Sequence, residues 1–478
     1  PEPLQLTILG TYYKPVLVRH TISPFSHGIL ISPFLHGKTL CISIHIPWVP
    51  LTFPLPYFTL SPHHAGKRPS LSDSAFLRII PNILESPSAN ISRSTPPLFQ
   101  FGLDRATAVH NSSVFASFQY DIALALQAHH NTPLGMGSEF RPSTALHPLL
   151  CRHPLWPRLR PMLDYGAVVP LRPISAENRQ SDLDYHLARG NHMSAKQRKD
   201  KLFELLHNDI IHGFCLPLTL DCLQHINNAS IAPLGIQEQA TIDEFGNRKI
   251  KWRMTHDQTF PGPSGLSVNR RTIKEELNPC MFGWVLQRII MQITSLCLRH
   301  PTTPILIGKY DLKAAYRRAH LSPTTATECL TVIDDTLFIA LRMTFGGAAF
   351  PALWSCHSEV ICDLANDILQ CPAWDHRSIC SPLQHLLPPP DRNYPDAPFA
   401  PAFPLAVDIP VNDRGSVEVY LDDLPPVCVD IGDNAERCAA VVPLALHIFG
   451  RPMALDEPIP RDELLSVTKA LGEGRMSK

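Results

Sequence analysis

Two apolar segments that each run into aspartate constrain the fold of this chain most strongly. The run ILIGKYDLKAAYRRAHL predicts a buried strand that delivers Asp311 at its end, followed by a short amphipathic segment. Further along, GSVEVYLDDL alternates like a strand and presents Asp422 and Asp423 in a predicted hairpin turn. Neighbouring carboxylates repel each other, and a divalent cation with oxygen ligands neutralises them efficiently. The pattern therefore predicts a metal site where two strand ends meet.

The predicted metal site has a definite chemistry. Three carboxylates that converge from two strands can hold two Mg²⁺ or Mn²⁺ ions roughly 3.5–4 Å apart, an arrangement that activates an attacking oxygen and stabilises a leaving one. We therefore expect Asp311, Asp422 and Asp423 to serve phosphoryl transfer. A second acidic pair, Asp334 and Asp335, lies between two short apolar runs and is predicted to be a solvated turn.

The sequence LRMTFGGAAFPALWS lies between the two acidic sites. Gly346 and Gly347 allow a close backbone approach, and Pro351 fits the first turn of a helix predicted over residues 349–369. Such a glycine turn can serve packing alone. Its place between the acidic sites favours a floor for a template or a nucleotide.

A basic hairpin is predicted upstream of the first acidic site. PLGIQEQATID and RKIKWRMTHD flank the turn residues EFGN. Residues 243–318 contain thirteen Lys or Arg and six Asp or Glu, a local net charge of +7 in a chain whose total is −1. Such a patch attracts phosphate groups. The alternative is an ordinary charged surface hairpin.

Ordered structure is predicted to begin near residue 140. Ser194 and Gln197 form a capping-box pattern in front of the helix-like run KQRKDKLFELLHNDI. This helix carries four basic residues and could touch phosphates, although a solvated helix face is the commoner meaning. The four residues are Lys196, Arg198, Lys199 and Lys201.

Composition bounds the rest of the chain. The 478 residues suffice for two or three domains, and the net charge of −1 argues neither for nor against a nucleic-acid partner. Residues 1–100 contain 15 of the 48 prolines and only three acidic residues, so we expect residues 1–135 to be of low complexity or poorly ordered. Prolines interrupt the apolar stretch at residues 28–60, which argues against a membrane span.

The thirteen cysteines include no CxxC pair, and a reducing compartment is the simplest interpretation. We therefore expect an intracellular protein, cytoplasmic or nuclear and not secreted. One cysteine-rich group has spacings too irregular for a zinc knuckle, and we expect structural thiols there. The group consists of Cys356, His357, Cys362, Cys371 and Cys380.

In the two acidic motifs, the glycine turn and the basic hairpin, the chain resembles the reverse transcriptases of retrotransposons and retroviruses. The likeness covers about residues 140–478. In that family, an aspartate is followed five residues later by an aromatic, as Asp311 is by Tyr316. Phe345, Gly346 and Pro351 resemble the second motif, and YLDD at residues 420–423 resembles the third. KWRMTHD is similar to the fingers strand whose arginine contacts the incoming triphosphate.

The resemblance implies an α+β fold with the fingers and palm of a right-hand polymerase, in which helices back an antiparallel palm sheet. It implies an N-terminal extension and fingers over residues 136–300. The palm would span residues 301–478, with a Pro-rich insertion at about 371–410 that we expect to be a surface loop. The chain stops at Lys478, before the expected primer-grip and thumb elements, so we expect the thumb to be absent.

The resemblance also assigns roles to single residues. Asp311 and Asp422 would each ligate both metal ions, and Asp423 would be the weaker carboxylate. Arg253 would contact the triphosphate, with Lys249 or Lys251 as a less certain second contact. Tyr316 would be a steric gate that selects deoxynucleotides, although a core aromatic is an equal alternative. Phe345, Gly346 and Tyr420 complete the expected substrate-binding residues.

The implied activity is template-directed DNA synthesis as part of a retrotransposon polyprotein. Its partners would be an RNA or DNA template with a primer and deoxynucleoside triphosphates, without a membrane, and the oligomeric state stays open. Pro425 and Pro426 remove two backbone donors beside the acidic pair, which predicts a distorted hairpin. Two alternatives remain: a non-catalytic nucleic-acid-binding remnant, and another two-metal phosphotransferase or nuclease.

Overall fold

The protein is described from a computed structural model of the 478-residue chain. The structure describes residues 5–6, 30–36, 39–45, 73–85, 98–130, 132–136, 138–242, 248–280, 282, 285–308, 310, 312, 314–382, 384–386, 389–390 and 413–450.

Helices and strands are numbered along the described residues. The helices are α1 (Asp73–Glu85), α2 (Arg105–Ser117), α3 (Ile122–Ala128), α4 (Ser143–Leu150), α5 (Trp156–Tyr165), α6 (Ala176–Arg189), α7 (Met193–Gln197), α8 (Lys199–Ile211), α9 (Val268–Arg271), α10 (Val285–Arg299), α11 (Ala315–Arg318), α12 (Pro323–Ala326), α13 (Phe350–Gln370) and α14 (Asn434–Phe449). The strands are β1 (Gln5–Leu6), β2 (Leu30–His36), β3 (Thr39–His45), β4 (Cys215–Thr219), β5 (Leu234–Ile242), β6 (Arg248–His256), β7 (Ile305–Ile307), β8 (Leu330–Ile333), β9 (Thr336–Ala340), β10 (Ser416–Val417) and β11 (Pro426–Val429).

The main core lies between two long helices and a small antiparallel sheet. Helices α13 and α14 are apolar on most of their surface and pack against each other, which is the pattern of helices inside a protein. The sheet has the order β10-β11-β7, and helix α10 covers it through Leu296, which packs near Val427 and Val429. Pro351 lies in the first turn of α13, as predicted.

A second antiparallel sheet supports the basic hairpin. Its order is β4-β9-β8, and helices α2 and α8 contact β4. Asp334 and Asp335 form the turn between β8 and β9, which confirms the predicted solvated turn. Lys199 and Arg105 form surface ion pairs with these two acids. Ion pairs at such exposed positions add little stability.

The predicted hairpin is confirmed. Strands β5 and β6 pair antiparallel over their whole length, from Leu234 opposite His256 to Ile242 opposite Arg248. The turn at residues 243–247 lies outside the described residues. Apolar side chains at the base of the hairpin, including Ile236 and Met254, pack against helix α8. The base of the hairpin is therefore tied to the core.

Regular structure begins earlier in the chain than the composition predicts. Strands β1 to β3 form an antiparallel sheet, and helices α1 to α3 also fall within residues 1–135. Phe115 of α2 and Leu126 of α3 lie in the main core. The signals that we missed are Asp104 and Asp121, whose carboxylates accept backbone N–H groups at the starts of α2 and α3.

The predicted capping box at Ser194 is wrong. Helix α7 starts two residues earlier, with His192 as its N-cap, and the Ser194 hydroxyl accepts the N–H of Ile236 on the hairpin. The run that we expected to be one helix is divided at Arg198 into α7 and α8. A tertiary contact has therefore taken the side chain that the local pattern assigned to a cap.

The hairpin that Pro425 and Pro426 are expected to distort is paired between Tyr420 and Asp423, and its pairing continues through both prolines. Each proline takes part in pairing through its carbonyl group: Glu418 donates its N–H to Pro425 at 3.1 Å, and Gly308 donates to Pro426 at 2.9 Å. A missing donor costs nothing where the neighbouring strands need only acceptors.

The described elements combine helices with small antiparallel sheets, which confirms the predicted α+β class at that level. The Pro-rich insertion at 371–410 is predicted to be a surface loop, but its first described residues include Cys371 and Trp374, which are buried in the main core. The greater part of the insertion lies outside the described residues, and for it the surface loop stays a prediction. Within the residues that the structure describes, no helix is both long enough and apolar enough to cross a membrane.

A buried histidine predicts how stability depends on pH. The ring of His357 stacks on Trp354 at 5.4 Å, and burial lowers its pKa to about 4. The unfolded chain takes up this proton near pH 6.5, before the folded chain does. The free energy of unfolding therefore falls as pH falls from 6.5 to 4, by up to about 1.4 kcal/mol per pH unit.

Glu359 acts in the opposite sense, because burial raises its pKa to about 7 and its folded form takes up a proton first. The test is therefore the difference between wild type and His357→Phe in urea unfolding from pH 7 to 4.5. We expect the slope of the free energy of unfolding against pH to be lower in His357→Phe than in wild type, by the contribution of one proton. The same change at exposed His130 serves as the control, and equal slopes for wild type and His357→Phe would contradict the prediction.

Candidate functional site

The acidic pair lies in a tight hairpin turn. Tyr420 donates its N–H to the carbonyl of Asp423 at 2.8 Å, and Asp423 donates back to Tyr420 at 2.9 Å. Leu421 has a φ of +57°, a conformation that side chains other than glycine adopt at a cost of about 1–2 kcal/mol. Asp422 completes the turn. The predicted turn is thus present, with strained backbone immediately before the first acid.

The chain on either side of Asp311 is hydrogen-bonded to this hairpin. Leu424 donates its N–H to the carbonyl of Tyr310 at 2.7 Å, and Leu312 donates to the carbonyl of Asp422 at 3.2 Å. Asp311 itself lies outside the described residues. The two acidic motifs, which are far apart in sequence, are therefore joined by backbone pairing.

The donor set suits a hard divalent cation. Carboxylate oxygens are the ligands that Mg²⁺ and Mn²⁺ prefer, and the side chains of Asp422 and Asp423 are half-buried rather than enclosed. Among the described residues, no three His, Cys, Asp or Glu side chains form a group able to hold a metal ion. The metal-binding roles of Asp311, Asp422 and Asp423 therefore stay predictions.

The cysteine-rich group of α13 makes contacts inside the core. Cys356 and Cys362 are buried, and their thiols donate to the carbonyl groups of Ala352 and Val417. Burial raises the pKa of both thiols. The contact of Cys356 lies within α13, whereas that of Cys362 joins α13 to β10, and both are contacts of packed side chains.

Trp354 connects helix α13 to the acidic turn. Its indole N–H donates to the carbonyl of Leu421 at 2.9 Å, and the ring is almost fully buried. This hydrogen bond holds the strained residue directly before Asp422. This role could not be predicted from the sequence, because an aromatic residue on an apolar helix predicts packing and no particular partner.

Tyr316, Phe345 and Arg253 form a continuous series of contacts that starts at Trp354. The rings of Tyr316 and Trp354 are 6.2 Å apart, and those of Tyr316 and Phe345 are 5.6 Å apart. The guanidinium group of Arg253 lies 5.5 Å from the centre of the Phe345 ring. Three residues predicted from separate motifs are thus brought together.

Tyr316 also lies within electrostatic reach of the acidic turn. Burial raises the pKa of its phenol, and the negative charge of Asp422 raises it further. The phenol is therefore neutral at physiological pH. This places an aromatic side chain between the acidic turn and the Arg253–Phe345 contact.

Two aromatic rings at the candidate site are exposed, one in the series and one on the acidic turn. Phe345 is 41% exposed and Tyr420 is 50% exposed, although large aromatic side chains are usually buried. Tyr420 contacts Phe282 at 6.0 Å. Lys251 is exposed two residues before Arg253, on the same face of β6 because side chains alternate along a strand. Together these residues offer aromatic surface and positive charge to solvent.

The glycine turn is held close to the end of β6. Gly346 has a φ of +126°, and a Cβ atom there would overlap the carbonyl oxygen of His256. The N–H of His256 donates to the carbonyl of Phe345 at 2.8 Å. Asn269 donates to the carbonyl of Gly346 and accepts the N–H of Ala348, both at 2.7 Å. Sequence reasoning missed Asn269, which lies in the four-residue helix α9.

A buried ion pair supports these elements from below. Arg317, the residue after Tyr316, donates to Asp209 of α8 at 2.6 Å and to Nε2 of His256 at 3.4 Å. Burial and the neighbouring positive charge hold the pKa of His256 well below its usual range. The imidazole is therefore neutral and can accept the hydrogen bond.

Comparison with known proteins gave matches to solved structures alone. Neither a family model nor a curated protein matches the sequence. A crystal structure of prototype foamy virus protease-reverse transcriptase is similar over 59% of this chain and 24% of that chain, with 14% identity and a TM-score of 0.29.

Two structures of the foamy viral protease-reverse transcriptase in complex with double-stranded DNA are also similar. One has 11% identity and a TM-score of 0.29, over 68% of this chain and 41% of that chain. The other has 13% identity and a TM-score of 0.28, over 62% and 46%. The chain spans less than half the length of these proteins. Similarity at this level says nothing about function, which has to be argued from the contacts of the chain itself.

Substitution of Gly346 tests the close approach at the glycine turn. We expect Gly346→Ala to lower the free energy of unfolding by roughly 3–5 kcal/mol, because the methyl group meets a backbone oxygen and the φ angle disfavours alanine. Gly432 is the matched control, since its φ is +60° and no described atom lies near its Cβ position. Gly432→Ala should cost about 1 kcal/mol. Equal costs in urea unfolding would contradict the steric account.

Proposed function

We propose that this chain carries out template-directed DNA synthesis by two-metal nucleotidyl transfer, as the reverse transcriptase part of a retrotransposon polyprotein. One observation carries the proposal: the backbone on both sides of Asp311 pairs with the turn that bears Asp422 and Asp423. Antiparallel pairing of this kind would bring three acidic residues from two motifs to one place. The order of these motifs in the sequence is that of the family that the chain resembles, with the Pro-rich insertion lengthening the distance between the second motif and the third.

Asp311 and Asp422 would hold both divalent ions, with Asp423 as a weaker ligand. When bound, the ions supply charge stabilisation for the attacking and leaving oxygens of phosphoryl transfer. The residues of the chain would hold the ions at the end of a rigid strand pair. In the reaction, the primer 3′ oxygen forms a bond to the α-phosphorus of a deoxynucleoside triphosphate, and pyrophosphate leaves.

Arg253 would bind the triphosphate, and Phe345 would line the pocket under the nucleotide. A guanidinium group matches phosphate geometry, and an exposed aromatic ring offers a face for stacking. Lys251 would add charge from the same face of β6, and Tyr420 would offer a further exposed ring. Gly346 would let the floor of the pocket lie close to the end of the hairpin.

Tyr316 would act as the gate that excludes a ribose 2′-hydroxyl. Its ring contacts Phe345 and Trp354, and Trp354 is hydrogen-bonded to the acidic turn, which supports this role. The ring is also packed against the main core, so a core aromatic stays the alternative. The same placement favours a polymerase over a nuclease, which needs the acids but no gate. The third alternative, a remnant that only binds nucleic acid, shares the geometry and differs in activity.

Primer extension by the whole chain on RNA and DNA templates, with Mg²⁺ or Mn²⁺, tests the acidic site. We expect Asp422→Asn to reduce the rate about a thousandfold, because a lost ligand removes several kcal/mol of transition-state stabilisation. Asp334→Asn is the matched control, since it changes an acidic pair in an exposed turn. Its rate should equal that of wild type.

Other results of this assay separate the alternatives. Cleavage of the nucleic acid without added deoxynucleotides would support a nuclease. Binding of primer and template without extension by any variant would support a non-catalytic remnant. Either result overturns the polymerase proposal.

The gate has its own test in the choice of sugar. We expect Tyr316→Val to raise kcat/KM for ribonucleotides relative to deoxynucleotides at least about tenfold, because loss of the ring removes the steric exclusion. Tyr185→Val, at a tyrosine in helix α6, is the control for loss of a tyrosine side chain. An unchanged ratio in an active Tyr316→Val variant would make Tyr316 a packing residue.

A further inference from the structure

Helix α14 contains a carbonyl group that its own helix cannot satisfy. Pro443 lies inside the helix and has no N–H, so the carbonyl of Ala439, four residues earlier, lacks its usual helical donor. Ala439 is buried, and a buried carbonyl without a donor is costly. Something outside the helix has to supply a hydrogen bond there.

The hydroxyl of Tyr310 supplies it. Tyr310 Oη donates to the carbonyl oxygen of Ala439 at 2.7 Å, and the whole side chain is 1% exposed. At the other end of the same residue, the backbone carbonyl accepts the N–H of Leu424 at 2.7 Å. Tyr310 is therefore fixed both to helix α14 and to Leu424, the residue that directly follows the acidic pair.

We propose that Tyr310 is a positioning residue, which uses the gap left by Pro443 to hold the backbone next to Asp311, three residues beyond the end of β7, against the acidic turn. This inference rests on the proposed function of the three acids. Tyr310 immediately precedes Asp311 in the sequence, so its two anchors would limit where that carboxylate can lie. Ligands of a metal pair must be held within about 0.5 Å of their places, and packed supporting residues provide that precision.

Pro443 makes the hydrogen bond between Tyr310 and Ala439 possible. With any other residue at position 443, a helical N–H would bond to Ala439 and compete with the tyrosine for the carbonyl. Because proline lacks that N–H, the Tyr310 hydroxyl donates to the Ala439 carbonyl without competition from the helix. The backbone at Tyr310 is thereby tied to helix α14. Two residues that look unrelated in sequence thus form one contact.

Two variants separate positioning from plain stabilisation. Tyr310→Phe removes only the hydroxyl and leaves the Ala439 carbonyl without a donor. Adding Pro443→Ala to it gives the carbonyl a helical donor again but leaves residue 310 unanchored. Mn²⁺ binding to the whole chain, followed by electron paramagnetic resonance, reports on the acids without any need for activity, and urea unfolding reports on stability.

We expect Tyr310→Phe to lower the urea midpoint and to weaken Mn²⁺ binding at least tenfold. In the double variant, the urea midpoint should return toward the wild-type value while Mn²⁺ binding stays weak. Tyr165→Phe, at a tyrosine that is 71% exposed, should change neither.

Two results would overturn the positioning role: wild-type Mn²⁺ binding by Tyr310→Phe, or recovery of Mn²⁺ binding together with stability in the double variant. Both are distinct from failure of the proposed function. If the proposed function itself is wrong, the wild-type chain will bind no Mn²⁺, or Asp422→Asn will bind Mn²⁺ as tightly as wild type. Either result would also overturn the role of Tyr310, because that role depends on the metal site.

Discussion

The buried guanidinium group of Arg317 is the contact on which the placement of the candidate site depends. It joins Asp209 of α8 to His256 at the end of β6, and it follows Tyr316 in the chain. A buried ion pair is a weak source of net stability, because desolvation of both charges offsets their attraction. Its geometry is nevertheless strict, since loss of one partner would leave an uncompensated charge inside the protein. The main effect of Arg317 is therefore to fix positions.

A series of contacts leads from Arg317 and the β5–β6 hairpin to the acidic turn. His256 is bonded through its backbone to Phe345, so the end of β6 and the glycine turn move together. Arg253 lies on the same strand and contacts the Phe345 ring. Tyr316 contacts Phe345 and Trp354, and Trp354 holds the strained turn at Leu421. Strained backbone persists only where its surroundings over-determine it, and these contacts do so.

The features that the sequence predicted well are local ones. The β5–β6 hairpin, helix α13 with its early proline, the Asp334 turn and the Asp422 turn each follow from spacing within a short segment. Alternation, turn residues and a proline at a helix start act over a few residues, so the sequence displays them directly. The motif residues Tyr316, Phe345 and Arg253 could also be predicted, although their mutual contacts could not.

The features that the sequence hid depend on partners far away in the chain. Three prolines each predict a lost hydrogen-bond donor from the sequence alone, because proline has no backbone N–H. They are Pro425, Pro426 and Pro443. In the fold, the two prolines beside the acids supply carbonyl acceptors to Glu418 and Gly308. The third leaves a carbonyl for Tyr310. A proline therefore disrupts a structure only where its neighbours need a donor, and the neighbours are known only once the chain has folded.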